Sequence, residues 1–344
     1  MTRLTRNATL AGALAGAFIY MAAPTNAQAP GGLAQEPACQ TLTAAAAGGA
    51  QPRRDVLVLR WLGIANYELA YRDSVILLDA AYSRVPPARP IGFGAADARK
   101  ATAIFIGHPH GDHVWDLVEV AKQTGAPVYG GPQLVEYLKS AGIPDAQVHL
   151  AGPVVKFNGF TVEPILYRHS GGRPPDVQRA MANYATAVDE IIRKQTPEEE
   201  AQARAINQRR ATGASIDTTG TYAYLFTFDN GFRLVYTDTA GPPTPALEAV
   251  MARIGSTDVG MVGYQGRFLA ARQNAESLPL VRVLKPRFVI PTHHDDDSGS
   301  RPDMPIYPLA MAIRDEMPDT RTITPLYRSP ICFDTRTRDV FVGK

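Results

Sequence analysis

From residue 56 onward the chain alternates short apolar runs with turn residues. Val56-Leu57-Val58-Leu59, Tyr67-Glu68-Leu69-Ala70 and Val75-Ile76-Leu77-Leu78, spaced by Gly, Asp and Ser, predict an antiparallel meander. A loop rich in Pro and Gly follows from Val85 to Gly94. Ala103-Ile104-Phe105-Ile106 then predicts a buried strand running into Gly107 and a histidine cluster, and Val114 to Lys122 has helical spacing. Strand, polar loop and helix is the arrangement that presents a site at a strand's C-terminal end. The second half repeats the theme, with strand-like runs at Thr161 to Leu166, Tyr222 to Phe228 and Phe232 to Tyr236, then a helix around Ala246 to Ile254. Strands at Val259 to Val262 and Phe288 to Ile290 flank a helix at about Glu276 to Leu284. Two halves that each hold a meander and then β/α units imply an α/β fold of two sheets packed face to face, with helices outside.

An insertion at about residues 174–212 separates the halves. Val177, Met181, Tyr184, Val188 and Ile191 recur at the spacing of one apolar helix face. A second helix is signalled by Thr196 as N-cap, Pro197 at its first position, Glu198, Glu199 and Glu200 in its first turn, and Arg209 and Arg210 toward its far end. The expected helical hairpin suits either a packing appendage or a lid over a site.

The N-terminus breaks the pattern. Arg3 and Arg6 precede an apolar run from Leu10 to Ala23, and small residues follow at Ala27 and Ala29. That order reads as a secretory signal over residues 1–29, followed by a flexible Ala/Gly/Gln-rich arm over 30–52 and a folded domain over 53–344. The run is shorter than the roughly 20 apolar residues of a spanning helix, so an exported protein, periplasmic or secreted and without integral membrane association after processing, is expected.

Composition adds limits. Of 344 residues, 45% are apolar and 20% charged, which is ordinary for a globular chain with a sizeable core. Lys and Arg (35) nearly balance Asp and Glu (33) with no long single-sign run, which argues against a nucleic-acid partner. The two cysteines, Cys39 and Cys332, lack metal-type spacing; they can pair in an oxidising compartment or remain free thiols.

The chemistry is concentrated in one segment. Three of the seven histidines fall within His108-Pro109-His110-Gly111-Asp112-His113. On a loop leaving a strand, His108 and His110 can share a face, while Asp112 and His113 turn into a helix start and serve a neighbouring position. Half of each of two ligand sets is thereby supplied. Imidazole and carboxylate without thiolate suit zinc first, with manganese or iron as alternatives. Further candidates close apolar strands: His169, Asp238 and His293, the last with His294 beside it. Asp79 ends Val75-Ile76-Leu77-Leu78, and His149 lies in a strand-like Val148-His149-Leu150 run that reads as structural.

The order His-x-His-x-Asp-His, then His, Asp and His, resembles the metallo-β-lactamase-fold hydrolase superfamily over about Asp55 to Asp334. The resemblance implies a four-layer αβ/βα sandwich of two mixed β-sheets with helices outside. It implies that His108, His110 and His169 hold one divalent ion, that Asp112, His113 and His293 hold a second, and that Asp238 bridges them. Asp79 would brace the ligand loop by hydrogen bonding. Pro-x-His spacing favours His293 over His294. A carboxylate at Asp238, where the β-lactamases commonly use Cys, points to the broader hydrolases. Arg60-Trp61-Leu62-Gly63 and Ile290-Pro291-Thr292-His293 are similar to the branch of L-ascorbate-6-phosphate lactonase.

The implied activity is hydrolysis of a small-molecule ester, lactone or amide by a metal-bridging hydroxide, with Asp112 orienting it and accepting its proton. Phosphodiester or phosphotriester hydrolysis is the alternative; an iron-dependent oxidoreductase and a non-catalytic metal-binding protein are the others. His294, Tyr264 and Tyr167 are candidates for polarising or protonating groups.

Overall fold

The structure is a computed structural model, which describes residues 32–171, 194–212, 220–264, 270–295 and 303–343, with positions 175 and 179. The expected secretory run and the face from Val177 to Ile191 lie outside the described residues.

The predicted meander forms as β1 (Val56–Trp61), β2 (Tyr67–Tyr71) and β3 (Ser74–Leu78), paired antiparallel. Three parallel strands extend it: β4 (Ala103–Phe105), β5 (Val128–Gly130) and β6 (Val148–Leu150). On the other flank β14 (Pro330–Asp334) and β15 (Val340–Val342) complete an eight-stranded sheet in the order β15-β14-β1-β2-β3-β4-β5-β6. The second sheet has seven strands. β7 (Val155–Phe157), β8 (Phe160–Leu166), β9 (Tyr222–Phe228) and β10 (Arg233–Tyr236) run antiparallel. β11 (Val259–Gly263), β12 (Phe288–Thr292) and β13 (Arg321–Thr322) continue from β10 in parallel. Both sheets are mixed, as expected.

Alternation along the strands divides the core. Leu57, Leu59 and Trp61 of β1 point between the sheets, where they meet Tyr67, Phe105, Tyr224, Phe226 and Phe333 in one buried cluster. Val56 and Val58 point the other way, toward α2 (Leu117–Thr124) and α3 (Pro132–Ser140). The outer face of the second sheet is covered by α5 (Pro245–Ile254), α6 (Ala270–Leu284) and α7 (Tyr307–Glu316), through Leu247, Leu280, Val281, Leu309 and Ile313. Helix, sheet, sheet, helix is the four-layer sandwich.

Two local expectations change. The single helix over Val114 to Lys122 is two, α1 (Gly111–Val114) and α2, because Asp116 between them is used crosswise. Its Oδ2 accepts the Tyr82 and Ser83 N–H groups, both at 2.7 Å, which ties the ligand loop to the segment after β3. The Ala-rich arm is not loose over residues 32–52. Ala38, Cys39, Ala44, Ala45 and Ala46 are buried, and Cys39 is joined to Cys332 by a disulfide. Small side chains let the arm lie flat against the sheet, and composition alone does not reveal that docking. Replacing both cysteines by serine is expected to lower stability by about 2–4 kcal/mol, read as a shift in the urea midpoint; an unchanged midpoint would show that noncovalent contacts suffice to hold the arm.

The second predicted helix of the insertion is α4 (Pro197–Thr212). It starts as its residues dictate: the Glu199 N–H donates to Thr196 Oγ1 at 3.2 Å and the Thr196 N–H to Glu199 Oε2 at 2.9 Å, a reciprocal cap. Its Ala203 and Ile206 bury against Val85, and Arg209 donates to Ser83 Oγ at 2.9 Å. The helix therefore rests on the loop that follows β3, beside the ligand segment.

Candidate metal centre

Five strands deliver the predicted residues to one rim. β3 ends at Asp79, β4 leads through Gly107 to His108, β8 to His169, β10 to Asp238 and β12 to His293. The loop from β4 carries His110 and enters α1 at Gly111, so Asp112 and His113 occupy its first turn. Nitrogen or carboxylate atoms of His108, His110 and His169 lie within 4.8 Å of one another, as do those of Asp112, His113 and His293, and those of His108, His113 and Asp238. The third group takes one member from each of the other two and adds Asp238, the geometry expected of a shared carboxylate. The rings of His108 and His110 are 4.4 Å apart, those of His110 and His169 4.5 Å, and those of His113 and His293 5.2 Å.

Hydrogen bonds fix these side chains from behind. Asp79 Oδ2 lies 2.7 Å from His113 Nδ1, Asp79 Oδ1 accepts the Gly107 N–H at 3.1 Å, and the Tyr236 hydroxyl donates to Asp79 Oδ2 at 2.7 Å. The bracing role of Asp79 thus draws on both sheets. Asp238 Oδ2 is 2.5 Å from His108 Nδ1. Gly107 makes this contact possible, since a Cβ there would meet the Asp238 carboxylate at 2.2 Å. Asp112 Oδ2 is 3.2 Å from His293 Nε2.

The donor set fits divalent cations. The buried Nε2 atoms of His108, His110 and His113 and Oδ1 of Asp238 have no hydrogen-bond partner among the described residues. Unpartnered buried nitrogens on neighbouring rings are costly unless something coordinates them. Nitrogen and carboxylate donors without sulfur match zinc, manganese or iron.

Electrostatics follow from this crowding. Burial, then His113 and His110, pushes His108 well below the usual imidazole range. His169 is pushed down to about 3 by burial and then by His108 and His110. His113 goes the other way: burial opposes protonation, but Asp79 and Asp112 outweigh it and raise it to about 10. Burial alone would raise Asp112, but His113 and His293 hold it well below the ordinary carboxylate range. Asp79 and Asp112 therefore favour the protonated form of His113.

His293 faces Asp112, whereas the His294 ring lies tilted against Trp61 with centroids 4.4 Å apart, so direction favours His293 as the ligand. Burial pushes His294 down to about 4 from 6.5. Its neutral form is the folded one, so stability is fully present above pH 6.5 and is lost as pH falls toward 4. For the metal-free protein, His294→Phe is expected to remove about 2 kcal/mol of the stability difference between about pH 7 and about pH 5, read by urea unfolding; parallel pH dependences in variant and wild type would refute this.

The other candidates are occupied elsewhere. The buried Tyr167 hydroxyl donates to the Gly241 carbonyl, and the Tyr264 hydroxyl donates to Asn274 Oδ1 at 3.3 Å. His149 stacks on Tyr129 at 4.9 Å, a packing role. Sequence reasoning missed Tyr236, Asp116 and Asp295. The first two lie inside ordinary-looking strand and helix patterns; Asp295, in the run His293-His294-Asp295, was the one legible hint.

Comparison with known proteins agrees with this geometry. A β-lactamase superfamily domain model matches residues 75–294, more than half of the chain. A UPF0173 metal-dependent hydrolase of Agrobacterium fabrum is 34% identical over 108 residues, 30% of this chain and 44% of that protein. One of Brucella anthropi is 33% identical over 127 residues, 36% of this chain and 54% of that protein. The chain thus spans about half the length of the curated relatives it matches. Among solved structures, Igni18, a novel metallo hydrolase from Ignicoccus hospitalis, is similar with a TM-score of 0.55 at 14% identity, covering 81% of this chain and 98% of that one. CmlA, a diiron β-hydroxylase from Streptomyces venezuelae, is similar with a TM-score of 0.50 at 14% identity, covering 80% of this chain and 54% of that one. These two likenesses concern the fold. With the matched domain spanning the strands that carry the histidine cluster, the chain belongs to the metallo-β-lactamase-fold hydrolase superfamily.

Proposed function

We propose that this chain is an exported hydrolase that holds two divalent metal ions, zinc first, and cleaves a small ester, lactone or amide. The observation that carries the reading is the pair of ligand triads joined through Asp238, with unpartnered imidazole nitrogens turned into the space between them. His108, His110 and His169 would hold one ion, and Asp112, His113 and His293 the other. Bound there, divalent cations act as Lewis acids that polarise a carbonyl or phosphoryl oxygen and bring the pKa of water near 7.

The chain's own groups have distinct tasks. Asp112 is the most open of the carboxylates in the cluster, with 25% of its side chain exposed, so its Oδ atoms are placed to accept a proton from the attacking water. Asp79 keeps the His113 proton on Nδ1, which leaves the Nε2 lone pair free to coordinate a cation. Asp238 orients His108 in the same way. With Tyr167 and Tyr264 committed to Gly241 and Asn274, the leaving group takes its proton from Asp112 or from solvent.

Export is supported by the apolar run after Arg3 and Arg6 and by the pairing of Cys39 with Cys332, since disulfides persist in oxidising compartments. Among the described residues no helix is long and apolar enough to cross a membrane.

The test is to count bound transition metals in the purified protein, then assay a lactone, an aryl ester, a penicillin-type amide and a bis-aryl phosphate beside an Asp112→Ala control. Two ions and cleavage of a carbonyl substrate are expected. Retention of no transition metal would overturn the reading. Activity on the phosphate alone would move the substrate class to phosphodiesters, and bound iron without hydrolysis would move the reaction to oxidative chemistry.

A further inference from the structure

The turn between β1 and β2 holds the last ligand by its backbone. Ile64 lies there at φ 50°, in the left-handed region that a β-branched residue rarely enters, and His293 is at φ 58°. Ile64 is clamped on both sides. Its carbonyl accepts the His293 N–H at 2.7 Å and the Trp61 Nε1–H at 2.9 Å. Its N–H donates to the carboxylate of Asp295, at 2.9 Å to Oδ1 and 3.2 Å to Oδ2.

Asp295 is in turn fixed by two other segments. Arg84 Nη2 donates to Oδ2 at 2.5 Å and the Tyr327 hydroxyl at 2.6 Å. The Arg84 side chain is 6% exposed and that of Asp295 0%. Arg84 reaches Asp295 across Gly63, where a Cβ would lie 1.7 Å from Nη2. The segments after β1 and β3 and the one before β14 therefore converge on one carboxylate, carried by the segment leaving β12. A buried ion pair contributes little net stability, because desolvation offsets most of its attraction. Its effect lies in geometry, since left-handed residues persist only where their surroundings over-determine them.

We propose that Asp295 is a positioning residue for the ion held by Asp112, His113 and His293: acting through Ile64, it sets the His293 backbone so that Nε2 faces Asp112. Asp79 steadies a ligand by bonding its ring, whereas Asp295 does so through the main chain. The inference rests on the two-metal reading above.

Zinc titration of metal-stripped protein against a chromophoric chelator, with the visible spectrum of the cobalt form, tests it. His293→Ala marks which binding step belongs to the triad in question. Asp295→Asn is expected to weaken that step by about 10–100-fold and change the cobalt spectrum, while the step of His108, His110 and His169 keeps wild-type affinity. Tyr327→Phe, which removes one bond to the carboxylate, is expected to weaken the same step by about 3–10-fold. Unchanged affinities in both variants, or equal weakening of both steps with loss of the near-ultraviolet dichroism, overturn the proposal. Where Asp295→Asn does not fold, Tyr327→Phe decides it by the same two outcomes. A wild type that binds no ion overturns the two-metal reading and this inference with it; a wild type with two ions and unperturbed variants overturns this inference alone.

Discussion

Asp112→Asn is expected to lower kcat/KM by about 10²–10⁴-fold on whichever substrate the protein cleaves. The proposed function gives the side chain two separable tasks. Its Oδ2 lies 3.2 Å from His293 Nε2 and 4.0 Å from His113 Nε2, which makes it a member of the second triad. It is also more open than Asp79 and Asp238, whose side chains are 0% exposed, so it alone among the three carboxylates can meet a substrate and a water together. An amide keeps the shape and one acceptor oxygen but cannot take up the water's proton. Metal analysis of the variant distinguishes the tasks. Two retained ions with a lost rate assign proton acceptance; loss of one ion assigns ligation. A variant with wild-type kcat/KM would remove Asp112 from both roles.

The parts of the centre that were readable in the sequence are those where chemistry and strand pattern coincide. His108, His110 and His113 are recognisable from spacing, and His169, Asp238 and His293 from their place at strand ends. Asp79 could be named because it closes an apolar run, and its left-handed φ of 58° fits a residue turned back toward the ligand loop. The residues that were not legible act across the sheets. Tyr236 reaches Asp79 from β10, and Asp295 reaches Ile64 across 231 positions of sequence. Such partners are fixed by strand order, which local periodicity does not carry. The same reason explains the arm: a run of alanines has neither periodicity nor charge to announce that it packs. α3 and α7 went unread as well, although each has a Pro in its first turn and buried apolar residues one helical turn apart, Leu134 and Leu138 in α3 and Leu309 and Ile313 in α7.

Glu68→Ala is expected to destabilise the protein by about 3–5 kcal/mol, the largest single effect on folding away from the metal centre. Arg60 and Glu68 are directly opposed on β1 and β2, and both side chains are 0% exposed. The Glu68 carboxylate accepts from Arg60 Nη1 at 3.0 Å, from the Ala45 N–H at 2.9 Å and from the Ala46 N–H at 2.6 Å. Arg60 Nη2 donates to the Ala38 carbonyl at 2.5 Å. The pair thus links the sheet to the arm on both sides of Cys39. Truncating the carboxylate leaves a buried guanidinium uncompensated and two arm N–H groups without their acceptor, and either loss alone is costly. A paired Arg60→Met, Glu68→Met variant sharpens the point. Removing both charges restores most of what an isolated ion pair would lose, but the arm's N–H groups still lack an acceptor, so recovery is expected to be partial. Urea denaturation of the three proteins with the disulfide intact reads this directly. Full recovery in the double variant would show that the arm contributes nothing through Glu68, and a Glu68→Ala midpoint equal to wild type would show that the buried pair is dispensable.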